Sequence, residues 1–193
     1  WNFETDECED IDGDNDNYYQ SCIPFDQSDP IPMNTTEYAD MCMEYVGVPP
    51  IVDCGDGEPI PIYVNGVPVN EDQPLGTCDD SDFKGGCFIG SRLGRVEGVD
   101  ISGNPMPEVV WVYFCRSSGL EYFEQGIVSV QMIGYNTENG ATCFFESPDA
   151  VGDLTQAEYL SFDEDGLLIG VLPNYGMIEF DQAWHSPAVS GTN

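Results

Sequence analysis

The sequence predicts a mainly β fold: a disulfide-stapled antiparallel sheet or sandwich with one short helix and an irregular acidic N-terminal arm. Three observations lead there. Short apolar runs alternate with period two and are separated by Asn-Gly or Asp-Gly pairs. Eight cysteines are spread along 193 residues. A single stretch has helical periodicity. Composition divides the chain into an acidic arm (residues 1–30), a disulfide-bonded β domain (31–187) and a flexible tail (188–193).

The arm, from Glu4 to Asp29, is crowded with acids, Asn, Ser and Pro and has almost no apolar periodicity, so it is expected to be irregular. In the helix that follows, Tyr38, Met41, Cys42 and Tyr45 fall at i, i+3, i+4 and i+7 on one stripe. Asn34 and Glu37 have the spacing of an N-cap and its capping-box partner, and Gly47 with Pro49-Pro50 ends the helix.

The rest reads as strands. Ile60, Ile62 and Val64 alternate up to Asn65-Gly66, and Val67 and Val69 resume the alternation. A type I′ turn needs positive φ at both central residues, so Asn-Gly here predicts a hairpin. Pro61 and Pro68 can donate no ladder hydrogen bond, which predicts that this hairpin lies at a sheet edge. Val109 to Cys115 is apolar on both faces and is the expected central strand. Gly126 to Ile133 and Ala141 to Glu146 form a second hairpin around Asn136 to Gly140. Tyr159 to Phe162 and Leu167 to Leu172 form a third, closed by Asp165-Gly166.

Cys8, Cys22, Cys42, Cys54, Cys78, Cys87, Cys115 and Cys143 never fall in C-x-x-C spacing, and His185 is the sole histidine. That pattern argues for four disulfides in an oxidising compartment rather than for zinc. The protein is therefore expected to be secreted, acting outside the cell or at its surface, with the chain starting after a cleaved leader. Eight cysteines permit about a hundred pairings. Short loops close at the least entropic cost, which favours Cys8–Cys22, Cys42–Cys54, Cys78–Cys87 and Cys115–Cys143. Asn34-Thr35-Thr36 is the only N-x-[ST] sequon. It makes Asn34 a candidate glycosylation site, and a glycan there is expected to compete with the cap.

Charge excludes whole classes of function. With 36 acidic and four basic side chains the formal charge is -32. Such a chain releases no counterions from phosphates and is repelled by anionic lipid, and no apolar run approaches the ~20 residues that cross a bilayer. Nucleic acid and membrane insertion are set aside on these grounds. Apolar residues still make up 41% of the chain, enough to bury a core. A salty habitat would account for the acid excess through a hydrated anionic surface.

The sharpest local motif is Asp10-Ile11-Asp12-Gly13-Asp14-Asn15-Asp16-Asn17. Carboxylates on alternate residues, with a glycine for the tight turn, can converge oxygens on a hard cation, and Ca²⁺ takes six to eight of them. Asp10, Asp12, Asp14 and Asp16 are the expected ligands, with Glu7, Glu9 and Asp26 in reserve. It is not an EF-hand, because the twelfth position from Asp10 is Ser21 rather than glutamate. From Asp6 to Cys22 the spacing resembles the calcium-binding loops of thrombospondin type 3 repeats. Two further acidic loops, Asp79-Asp80-Ser81-Asp82 and Asp163-Glu164-Asp165-Gly166, are weaker, and the second reads first as turn chemistry.

In so negative a chain, Arg92, Arg95 and Arg116 are expected to pair with carboxylates, bidentate and partly buried. His185 would have to serve any Ser-His or Cys-His catalysis, yet no G-x-S-x-G elbow is present and the cysteines are needed for pairing. Phosphate loops and dinucleotide fingerprints are absent.

A wider likeness runs from Cys54 to Pro187. Cys54-Gly-Asp-Gly-Glu-Pro-Ile-Pro-Ile-Tyr-Val-Asn-Gly66, Ser91-Arg92-Leu93-Gly94-Arg95 after Cys87, Val109 to Arg116, and Gly140 to Pro148 carry it. These blocks resemble a group of uncharacterised secreted bacterial proteins in which a similar segment often precedes a c-type haem segment. This chain has no C-x-x-C-H, so the resemblance implies a secreted, disulfide-bonded β module and no covalent haem. The expected function is a calcium-stabilised extracellular binding or structural module, assembling with itself or with another extracellular protein or glycan, and not an enzyme. The alternatives are an accessory domain of an extracellular redox or polysaccharide-active system, or a carboxylate-dependent hydrolase.

Overall fold

A computed structural model describes residues 34–79, 86–119, 129–147 and 159–187. The chain divides into two units, Trp1–Ile31 and Pro32–Asn193. All described residues belong to the second unit.

Helix α1 spans Thr35–Val46. Asn34 Oδ1 accepts from Glu37 N at 2.8 Å, and Glu37 Oε2 accepts from Asn34 N at 3.3 Å, which closes the expected capping box. The cap uses the amide oxygen, whereas a glycan bonds to the amide nitrogen. The expected competition between glycan and cap therefore does not follow. The buried stripe is Thr35, Ala39, Cys42 and Val46, with Tyr38, Met41 and Tyr45 half-buried beside it.

The main sheet has five antiparallel strands in the order β1-β4-β5-β6-β7. These are β1 (Glu58–Pro59), β4 (Arg92–Val99), β5 (Pro105–Arg116), β6 (Ser129–Asn136) and β7 (Thr142–Glu146). Strand β5 is central, as its two-faced apolarity predicts. Opposite it β4 shifts register between Glu97 and Gly98, a bulge that accommodates Pro107, which has no N–H to give a ladder. Two ribbons stand apart from this sheet: β2 (Ile62–Val64) with β3 (Val67–Val69), and β8 (Leu160–Phe162) with β9 (Leu168–Gly170). The first turns through Asn65 and Gly66 at φ 51° and 74°, as a type I′ turn requires. It is a separate two-stranded sheet rather than an edge of the main one. Both oxygens of Asp79 hold its turn, accepting from Asn65 N at 2.8 Å and Gly66 N at 2.6 Å.

One face of the main sheet is covered by α1, the 3₁₀ turn Cys54–Asp56, the β8–β9 ribbon and the short helix α2 (Phe180–Ala183). The helices take the place that a second sheet would hold in a sandwich. Phe145 is the hub, 5.0 Å from Tyr38, 6.1 Å from Trp111 and 6.2 Å from both Phe180 and Trp184, ring centre to ring centre. Trp111 Nε1 donates to Val46 O at 3.1 Å and Tyr113 Oη to Asp53 O at 2.9 Å, so the buried rings keep their polar atoms satisfied. Each of these two rings needs a glycine opposite it. Gly94 pairs with Tyr113 and Gly134 with Trp111. A Cβ on Gly94 would lie 1.9 Å from the Tyr113 ring, and one on Gly134 2.7 Å from the Trp111 ring.

Three disulfides join described residues: Cys42–Cys143, Cys54–Cys115 and Cys78–Cys87. The last is as expected, but the pairings Cys42–Cys54 and Cys115–Cys143 are overturned. Cys115 lies on β5 and Cys143 on β7, with β6 between them. Two strand spacings are about 9.6 Å, beyond the Cα separation a disulfide spans. Instead α1 sets Cys42 against β7, and the 3₁₀ turn sets Cys54 against β5. Doubling a loop costs only about 0.6 kcal/mol of closure entropy, too little for locality to outweigh the geometry of the fold.

Candidate functional site

The expected calcium ligands Asp10, Asp12, Asp14 and Asp16 lie outside the described residues, as do Cys8, Cys22 and the 188–193 tail. Among the described residues no three His, Cys, Asp or Glu side chains gather in a metal-binding group.

Several described carboxylates hold turns. Asp163 Oδ1 accepts from Asp165 N and Leu167 N, each at 2.9 Å, and this bonding, Leu167 first, holds its pKa below the usual carboxylate value. Asp100 is lowered in the same way, chiefly by the Asn104 side chain, with Asn104, Ser102 and Gly103 backbone N–H groups adding to it. Asp53 holds Gly55 N, and Asp72 holds Ile89 N. The Asp163–Gly166 loop is thus occupied by turn chemistry.

Arg92 is buried, and its pairing is not the bidentate one expected. Nη2 makes a single contact of 3.3 Å with Asp163, while Nη1 donates to Gly57 O at 2.8 Å and Gly55 O at 3.3 Å. It ties β4, the 3₁₀ turn and the β8–β9 turn together, with Nε left without a hydrogen-bond partner. Of His185, the backbone N–H donates to Glu146 O at 2.8 Å, which fastens the chain after α2 to β7. Clefts of about 190 Å³ and about 520 Å³ flank the Ile60-Pro61-Ile62 segment. Phe88, Phe114 and Arg116 line the first; Ile89, Leu167 and Glu164 line the second.

The largest chemical anomaly is the other face of the main sheet. Alternate residues of β4 to β7 point away from the core, and about half of them are apolar. Leu93 is 46% exposed, Ile133 and Tyr135 are each 42% and Phe144 is 37%, while Val110, Val112 and Phe114 are half-buried between them. Register places Arg95, Val112, Ile133 and Phe144 in one row across the four strands. The next row is Glu97, Val110, Tyr135 and Thr142. On a chain of charge -32 this face sets hydrophobic side chains beside Arg95 and Glu97 at the β4 flank, with Gln131 and Glu146 in the row beyond Arg95.

Sequence reasoning did not single out this face. Its signal lay in the outward residues of β5 (Val110, Val112, Phe114), whose apolarity was read only as that of a central strand. No family model matches the chain, and no curated protein or solved structure matches it significantly.

Proposed function

We propose that this protein is a secreted, calcium-stabilised binding module that assembles with itself or with another extracellular component through the outer face of its main sheet. The exposed apolar rows on β4 to β7 carry this reading, since contiguous apolar surface on an otherwise strongly acidic chain favours a contact that removes it from water. The nested disulfides fit an oxidising compartment. Calcium enters through the aspartate ladder from Asp10 to Asp16. Binding to the native state alone adds about 2.7 kcal/mol at a hundredfold excess over the dissociation constant.

The test is particle size by light scattering, with calcium and then with EDTA, for the chain alone and mixed with the extracellular fraction of its source. Growth in calcium that is lost in Ile133→Lys is expected. A size unchanged in every condition, or growth indifferent to Ile133→Lys, overturns the reading. A thermal midpoint that is the same in calcium and EDTA removes calcium from it.

A further inference from the structure

The outer face has a symmetry that selects its partner. The row containing Arg95, Val112 and Ile133 lies one two-residue repeat from the row containing Glu97, Val110 and Tyr135. A two-fold axis in the plane of the face, perpendicular to the strands and midway between the rows, lays each row on the other row of a second copy. Arg95 then faces Glu97 of the second copy, Val112 faces Val110, and Ile133 faces Tyr135, each contact occurring twice. Other placements do worse. An axis through the first row sets guanidinium on guanidinium. An axis parallel to the strands sets Arg95 over Phe144 and Glu97 over Thr142, leaving both charges without a partner.

We propose that this face is a homodimer contact in which Arg95 and Glu97 exchange ion pairs across a two-fold axis. The inference rests on the reading of the outer face as a docking surface and adds the identity of the occupant. Stacked sheets lie about 10 Å apart and cross at about 30°, so the centre of the contact closes on valine, isoleucine and tyrosine. The long side chains of Arg95 and Glu97 at the β4 flank can span that separation.

Four strands about 4.8 Å apart make a face about 20 Å wide. Two rows about 7 Å apart take up about 14 Å along the strands, so the area is about 280 Å². That is small beside the about 800 Å² per partner of a standard interface, and the dimer is reversible and concentration-dependent. Repulsion between two chains of charge -32 opposes it, and added salt or calcium therefore tightens it.

Sedimentation velocity of the full chain across a concentration series, in moderate salt with calcium, provides the test. Wild type is expected to dimerise, and Arg95→Glu and Glu97→Arg are each expected to weaken the dimer at least about tenfold. The double variant, with the charges exchanged, is expected to return to within about threefold of wild type. Glu97→Arg makes the chain less acidic, so a dimer governed by net charge alone would tighten in that variant and overturn the pairing. A dimer indifferent to both single changes, or a double variant that is folded by near-ultraviolet circular dichroism yet monomeric, also overturns it. A monomeric wild type overturns the homotypic contact. The wider reading is then judged separately by the Ile133→Lys measurement on the mixed extracellular fraction.

Discussion

The two faces of the five-stranded sheet are built by the same strands from alternating residues, yet they meet opposite fates. On the inner face Trp111, Tyr113, Met132 and Phe145 are withdrawn from water beneath α1 and α2. On the outer face Val110, Val112, Ile133 and Phe144 differ little from them in chemistry but keep part of their surface in solvent. The difference lies in fit. The inner rings are matched by glycines opposite them and by carbonyls that accept their polar hydrogens, whereas on the outer rows Ile133 and Tyr135 stay 42% exposed and Phe144 37%. Hydrophobicity alone therefore does not mark a core; complementary space does.

The contrast can be broken most strongly at its hub. Phe145→Ala should cost about 3–5 kcal/mol, read as a drop in the urea midpoint, because four aromatic partners lose their common neighbour. Its neighbour Phe144→Ala should cost under about 1 kcal/mol. Equal losses at the two positions would erase the distinction between the faces. Next in size is Gly134→Ala, expected to cost about 1–3 kcal/mol since the added methyl overlaps the Trp111 ring. Trp111 fluorescence should shift in that variant, and an unchanged urea midpoint would show that the glycine pocket is not needed. Ile133→Lys should move the midpoint by no more than about 0.5 kcal/mol while it abolishes assembly, which separates the outer face from stability.

The smallest effect is on the acid side. Asp100 and Asp163 titrate below the ordinary carboxylate value through the hydrogen bonds they accept. Their contribution is complete above about pH 4 and is lost as pH falls through the lowered folded values. Denaturation midpoints followed downward from neutral pH should decline in that window. Asp163→Asn should shorten the decline, and a profile unchanged by that variant would show that the turn carboxylate is not linked to folding.

Much of the fold was legible because its signals are local. Asn65-Gly66 and Asp165-Gly166 dictate turns within four residues, and the Asn34–Glu37 box fixes where α1 starts. Strand β4 escaped because Gly94, Arg95, Glu97 and Gly98 leave no apolar alternation to read. Its glycines have meaning only once Tyr113 and Val109 stand opposite them. Helix α2 is four residues long, too short for a period to show. The two long-range disulfides depend on strand order, which no loop-length argument contains. The outer face was hidden for a related reason, since its residues could be read as exposed only when the covering helices were known to lie on the other side.

The disulfides nest one inside another: Cys78–Cys87 within Cys54–Cys115, and both within Cys42–Cys143. Tension applied before residue 42 and after residue 143 is carried across a single sulfur–sulfur bond, so it never loads β1 to β6. The 101-residue separation is then chain length that stretching cannot release while the bond is intact, about 360 Å at about 3.6 Å per residue. Single-molecule pulling should recover that extension after reduction and not before. A module held by both ends would thus keep the outer-face residues of β4 to β6 out of the path of tension, while Phe144 on β7 lies beyond Cys143 and within it.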